Sequence, residues 1–259
     1  MIGLPTDRNS SYLRGPAKAP KAIRAALFSD QGNAFTELGL NLQAEGVLSD
    51  AGDLSLTESH ADAEVIASAI SSQLDRDHRV LSLGGDHSVT FPIIQAYARK
   101  YAGLHIVQFD AHPDLYLDFR SNPNSHASPF ARILEHGLAR ALVQIGIRTM
   151  TPPQRVVADR YDVKSFGCYE LGAAANALPD GPVYVSIDMD ALDPAFAPGV
   201  SHREPGGLSV REILELIWRL PGDIVGADIV ELNPDEDFRG MSAAAASKFA
   251  KELIYRMAT

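Results

Sequence analysis

The chain has 259 residues, 46% of them hydrophobic, and sets 33 Asp and Glu against 23 Lys and Arg for a formal net charge of −10. That length is enough to bury a core, and the acid excess argues against nucleic acid and anionic membranes as main partners, because both call for basic patches. The single cysteine, Cys168, excludes an internal disulfide and fits a reducing compartment. No apolar run approaches the roughly 20 residues that span a bilayer, and residues 1 to 20 hold no apolar stretch of the kind a secretory signal needs. The expectation from these features is a soluble, cytoplasmic protein with cationic ligands.

Short β-rich runs alternate with helical patterns along most of the chain, as in a parallel sheet built from βαβ units. Residues 79–83 (RVLSL) read as a strand ending in Gly84-Gly85, and 88–101 as the helix after it. Further strands are expected at 104–109 (LHIVQF), 141–147 (ALVQIGI) and 183–187 (VYVSI). The helix predicted over 209–220 has Ser209 as its N-cap, Glu212 three residues on as in a capping box, and Pro221-Gly222 as its stop. A strand at 223–229 and an amphipathic helix at 242–257 complete the pattern. No linker, repeat or low-complexity tract interrupts it, so one domain over 1–259 is expected.

The chemistry lies in the short segments just past the strand ends. The first strand ends in Gly84-Gly85-Asp86-His87-Ser88, the second in Asp110-Ala111-His112-Pro113-Asp114, and the fourth in Asp188-Met189-Asp190-Ala191-Leu192-Asp193-Pro194. In open parallel sheets ligands bind beyond the carboxyl ends of the strands, so the three clusters fall on one edge. Residues two apart in extended chain point the same way, which lets Asp110, His112 and Asp114, and again Asp188 and Asp190, present ligands to one side. With His87 this gives four carboxylates and two imidazoles around one point. So much like charge near a core is tolerable only with cations present. A donor set rich in oxygen, with some imidazole and no thiolate, suits Mn²⁺ or Mg²⁺ better than structural zinc, and six ligands suggest two ions. Each motif alone has a plainer reading: Asp-x-His as a capped turn, Gly-Gly as a tight turn, Asp-Pro as a helix start.

Together the motifs resemble a known family. GGDHS at 84–88, DAHPD at 110–114 and SIDMDALDP at 186–194 are similar to the three signature segments of the ureohydrolases, the arginase and agmatinase family. RNSSYLRGPAKAPKAIRAAL at 8–27, SHASPFARILE at 125–135, APGVSHREPGGLS at 197–209 and GADIVELNP at 226–234 extend the resemblance along the chain, most closely to plant-type arginases. The resemblance implies a three-layer αβα sandwich around a mostly parallel eight-stranded sheet, two Mn²⁺ per chain, hydrolysis of a guanidino compound to urea, and a homotrimer or homohexamer. It places His87, Asp110, Asp114 and Asp188 on one ion and Asp110, His112, Asp188 and Asp190 on the other, with Asp110 and Asp188 bridging. His126 matches the family's catalytic histidine, Glu231 the glutamate that holds the guanidinium, and Asp193 a residue outside the ligand shell.

That assignment makes chemical sense. Guanidinium is a poor electrophile, and two cations lower the pKa of a bound water toward neutrality. A carboxylate such as Glu231 pairs with guanidinium in a bidentate fork, and an imidazole such as His126 titrates where it can supply a proton to the leaving amine. L-Arginine is the expected substrate, with agmatine or another guanidino compound as the closest rival. Asp118, Arg120, Asn122 and Asn124 are candidates for reading the substrate's far end. His60, His78 and His136 are expected to be solvated, while His105 and His202 receive no role; Arg148 balances charge near the site or forms a surface ion pair. Rival classes are a dinuclear phosphoesterase, which would want basic residues near the metals, and an inactive metal-binding relative.

Overall fold

The computed structural model describes residues 1–259. Seven strands form one all-parallel sheet: β1 (Ile2–Gly3), β2 (Val80–Leu83), β3 (His105–Phe109), β4 (Ala141–Ile145), β5 (Lys164–Phe166), β6 (Pro182–Asp188) and β7 (Asp223–Val230). Their spatial order is β1-β2-β7-β6-β3-β4-β5. The central strands are Val- and Ile-rich because both faces are covered. On one face α1 (Ala19–Leu27), α6 (Leu171–Asn176), α7 (Val210–Arg219) and α8 (Met241–Ala258) pack around Leu83, Phe109, Ile187 and Ile229. On the other, α2 (Asp62–Leu74), α3 (Thr90–Lys100), α4 (Pro129–Glu135) and α5 (Pro152–Arg160) pack around Val80, Ile106, Leu142 and Tyr184. This is the expected three-layer αβα sandwich.

The sheet has seven strands rather than the expected eight. Beside the outer edge of β1, Asp53 forms a single parallel bridge to Gly3, and three backbone bonds of 2.9 Å join the two segments: Gly3 N–H to Gly52 O, Leu54 N–H to Gly3 O and Ala51 N–H to Met1 O. β1 itself stops short of Pro5, which lacks the amide a longer edge would use. The capping box appears as expected: Glu212 N–H donates to Ser209 Oγ and Ser209 N–H to Glu212 Oε2. The strand expected to run to Ile147 ends at Ile145, because Gly146 turns the chain at φ +99°.

Sheet register places the site. Phe109 pairs with Ile187, Ile187 with Ile229, and Ile229 with Leu83. Asp110, Asp188, Val230 and Gly84 therefore leave the sheet at one level. β3 connects onward to β4 on one side and β6 to β7 on the other, so the gap between β3 and β6 is the topological switch point where α/β sheets hold ligands.

Candidate active site

All the residues singled out as metal ligands converge there. Asp110, Asp114, Asp188, Asp190 and His87 are buried, and His112 is partly exposed. His87 Nδ1 lies 3.0 to 3.2 Å from oxygens of Asp110, Asp114 and Asp188, and His112 Nδ1 lies 3.0 Å from Asp190. Two clusters with ion-holding geometry result, His87-Asp110-Asp114 and Asp110-His112-Asp190. Asp110 belongs to both: its Oδ2 faces His87 and its Oδ1 stands 3.6 Å from His112 Nδ1. Asp188 offers Oδ2 to the first cluster, while its Oδ1 accepts the Asp190 amide, 2.8 Å.

The donor set fits cations on grounds internal to the chain. Asp228, fully buried on β7, accepts from Thr90 Oγ1 (2.8 Å), Tyr184 Oη (2.9 Å) and Ser186 Oγ (2.6 Å). Burial pushes its pKa up, yet three donors favour the carboxylate. Since Ser186 donates to Asp228, it accepts from His87 Nε2, 2.9 Å away, so that nitrogen carries the proton of the neutral ring. The lone pair is then on Nδ1, which is sealed from solvent, makes no hydrogen bond, and faces three carboxylates. An acceptor surrounded by acceptors is where a cation belongs. Charge agrees: seven buried carboxylates (Asp86, Asp110, Asp114, Asp188, Asp190, Asp228, Glu231) meet three imidazoles (His87, His112, His126), with no Lys or Arg on the cavity wall. Even with all three imidazoles charged, four negative charges would remain with no cationic side chain on the wall to offset them. Burial and the Asp110 charge push Asp114 up to about 6.

His126 and Glu231 stand beside the clusters. His126 Nδ1 is 2.8 Å from Glu231 Oε1, which also accepts the His87 amide at 2.8 Å, leaving Oε2 without a protein partner. The Ser11 amide donates to His126 Nε2, 3.1 Å, so the neutral ring carries its proton on Nδ1. Burial works against charge on this ring, but the Glu231 carboxylate outweighs it and raises the His126 pKa to about 9. Glu231 and Asp114 both hold positive φ, +61° and +50°, conformations costly for non-glycine residues and typical of functional sites. Nearby, Gly85 must lack a side chain, since a Cβ would overlap the Thr6 carbonyl oxygen.

These groups line a cavity of about 260 Å³ whose remaining wall includes Ser11, Tyr116, Phe119, Thr149, Thr151, Gln154, His202 and Glu204. Of the four candidates for the substrate's far end none lines it: Arg120 Nη1 donates to Ser11 O and Asn122 Nδ2 to Asn9 Oδ1, so both brace the wall from behind. His202, given no role from sequence, packs against His126 and His112 with ring centroids 5.4 and 5.8 Å apart, and burial holds its pKa below the usual imidazole range. Asp193 touches neither metal cluster. It accepts the amides of Ala195, Gly206 and Gly207 and so ties the loop that carries His202 and Glu204. Arg148 forms no ion pair; it donates to the carbonyl oxygens of Glu204 (3.0 and 2.6 Å), Asp190 (2.7 Å) and Gly146 (3.0 Å), stapling that loop to the turn after β6.

Comparison with known proteins agrees with this geometry. The model of the Arginase family matches residues 1–255. A mitochondrial arginase of Medicago truncatula is 44% identical over 99% of this chain and 81% of its own length, and the solved structure of arginase from that plant superimposes with a TM-score of 0.93 over 99% of this chain and 86% of that one. An Arabidopsis thaliana arginase named chloroplastic/mitochondrial is 41% identical over 99% of this chain and 80% of its own, and a Bacillus cereus agmatinase is 33% identical over 98% and 90%. The plant names overturn the cytoplasmic expectation: these relatives are named mitochondrial or chloroplastic, and a single cysteine does not distinguish a mitochondrion or plastid from the cytosol. The two ion-holding clusters, the His126–Glu231 pair beside them and full-length similarity at this level lead to one assignment: the chain belongs to the arginase family.

Proposed function

We propose that this protein hydrolyses L-arginine to L-ornithine and urea with two manganese ions, as one domain over 1–259 that assembles as a homotrimer or homohexamer. The observation that carries the reading is Asp110, which offers one oxygen to each ion-holding cluster beside the His126–Glu231 pair. Identity of 44% to an arginase, against 33% to an agmatinase, favours arginine. His87, Asp110, Asp114 and Asp188 would hold one ion, and Asp110, His112, Asp188 and Asp190 the other. When bound, the two ions supply Lewis acidity and a water acidic enough to act near neutrality.

The protein's own groups do the rest. Glu231, held by the His87 amide and His126 through one oxygen, turns the other toward the guanidinium and fixes its plane. His126, kept protonated by Glu231, gives its proton to the nitrogen that leaves as the ornithine amine. The Ser186–Asp228 chain sets the His87 tautomer. A phosphoesterase reading is disfavoured by a wall without Lys or Arg to hold phosphate.

The test is urea release by manganese-loaded protein from L-arginine, agmatine, 4-guanidinobutyrate and guanidine. L-Arginine should give the highest kcat/KM; a higher value with agmatine would move the substrate assignment, and no urea from any of the four would refute the ureohydrolase reading. Size-exclusion chromatography with light scattering reads the assembly, and a monomer would refute that part.

A further inference from the structure

Five carboxylates line the cavity, and four have tasks: Asp114, Asp188 and Asp190 in the ion-holding clusters, and Glu231 with His126. The fifth, Glu204, has none. Its side chain is 39% exposed, accepts no hydrogen bond, and its nearest cationic neighbour is His112 Nε2 at 3.8 Å, beyond hydrogen-bond range. Yet its position is fixed. Arg148 holds its carbonyl oxygen with two donors, Asp193 ties the neighbouring Gly206 and Gly207 amides, and Gly207 is packed so closely on the Leu192–Asp193 backbone that a Cβ there would clash. Glu204 and Glu231 thus stand at the two ends of a row of imidazoles: Glu231 bonds His126, His126 packs on His202, His202 on His112, and His112 faces Glu204. With no Lys or Arg on the wall and only His112 Nε2 within 4 Å, the far end of the cavity presents a carboxylate carried on a fixed backbone.

On the ureohydrolase reading, we propose that Glu204 determines specificity by binding an ammonium group at the end of the substrate opposite the guanidinium. A guanidino compound with an amine at its far end pairs both cations, one with Glu231 and one with Glu204, while the His202 ring covers the alkyl chain between them. A substrate carrying only a carboxylate at that end meets repulsion from Glu204, and one with no charge there gains nothing from it.

The experiment compares wild type with Glu204→Gln and Glu204→Lys, using L-arginine and agmatine as amine-bearing substrates and 1-butylguanidine and 4-guanidinobutyrate as substrates without an amine. Turnover by the wild type tests the ureohydrolase reading separately. In Glu204→Gln, KM for both amine-bearing substrates should rise about tenfold, with kcat, manganese content and KM for 1-butylguanidine within twofold of wild type. Glu204→Lys should improve kcat/KM for 4-guanidinobutyrate. Thermal unfolding supplies a second readout: stabilisation by L-ornithine should shrink in Glu204→Gln. Equal losses on all four substrates, or loss of manganese, would show that Glu204 acts through His112 and would overturn the proposal, as would an unchanged KM for L-arginine.

Discussion

The Ser186–Asp228 link to His87 offers a sharp quantitative prediction, because it lies one layer beneath the metal ligands and touches neither substrate nor ion. Ser186→Ala removes one hydroxyl. It deprives the buried Asp228 carboxylate of its shortest hydrogen bond, 2.6 Å, and leaves the buried His87 Nε2–H without an acceptor. Losing a bond to a charged group and orphaning a buried donor together cost about 3 kcal/mol. For a chain of this size that lowers the melting temperature by roughly 6 to 12 °C. The tautomer of His87 is then unfixed, and loss of a partner behind a metal-ligating histidine weakens metal affinity about 10- to 100-fold. At saturating manganese, about 1.4 to 2.7 kcal/mol of metal-linked stabilisation disappears in addition. The assay is calorimetric titration of Mn²⁺ into metal-free wild type and variant, with thermal unfolding of both forms in parallel. Manganese affinity within twofold of wild type would refute the claim that Ser186 and Asp228 prepare His87 for a metal.

Asp110→Ala removes the one carboxylate shared by both clusters, so elemental analysis should show fewer than two manganese ions per chain and urea release should fall below detection; full turnover would be incompatible with a shared ligand. Asp188→Ala, which removes a carboxylate proposed to serve both ions, should likewise lower manganese content and urea release, and two retained ions with full turnover would contradict that role. His126→Ala should keep both ions yet lose about 100-fold or more in kcat, and an undiminished kcat would remove it from proton transfer. A pH dependence arises from the same residue: its pKa is raised from 6.5 unfolded to about 9 folded, so the stability it contributes is fully present below pH 6.5 and is lost as pH rises through 9. In metal-free protein, the difference in urea-unfolding free energy between wild type and His126→Ala should therefore shrink from pH 6 to pH 10, and a constant difference would contradict the ion pair. Arg148→Met frees the Glu204 and Asp190 carbonyl oxygens and should raise KM for L-arginine more than it lowers kcat, readable from steady-state urea release.

The layers and the ligand set were legible in the chain because both obey local rules. Buried parallel strands read as unbroken apolar runs, and ligands two residues apart after a strand face one way, so His87, Asp110, His112, Asp114, Asp188 and Asp190 could be named and were brought together. The edges of the sheet were not legible: β5 is a three-residue KSF that pairs only with β4, and the place of an eighth strand is taken by a single bridge at Asp53. Nor could spacing find the far wall of the cavity. Asp118, Arg120, Asn122 and Asn124 lie close to His126 in sequence but none of them lines the cavity, whereas Thr149, His202 and Glu204 reach it from distant loops through tertiary packing. The sequence does hold one further signal. Near the carboxyl end of each central strand an apolar run is broken by one polar residue: Ser82, Gln108, Gln144, Ser186 and Asp228. Register aligns them in one row beneath the ligands, where Gln144 Nε2 donates to Gln108 Oε1 and Gln108 Nε2 to Asp110 Oδ2, 2.7 Å each. A polar residue repeated at the same depth in buried strands marks the support of a polar site.

On the proposed mechanism His126 and Glu231 act on a guanidino substrate beside two ions that Asp110 would help to hold. Stepwise addition of Mn²⁺ to metal-free protein, with urea release from L-arginine measured against manganese bound per chain, tests this most directly. Activity should climb to its plateau only as the second equivalent binds; full activity at one equivalent, or none at any loading, would contradict the two-ion mechanism.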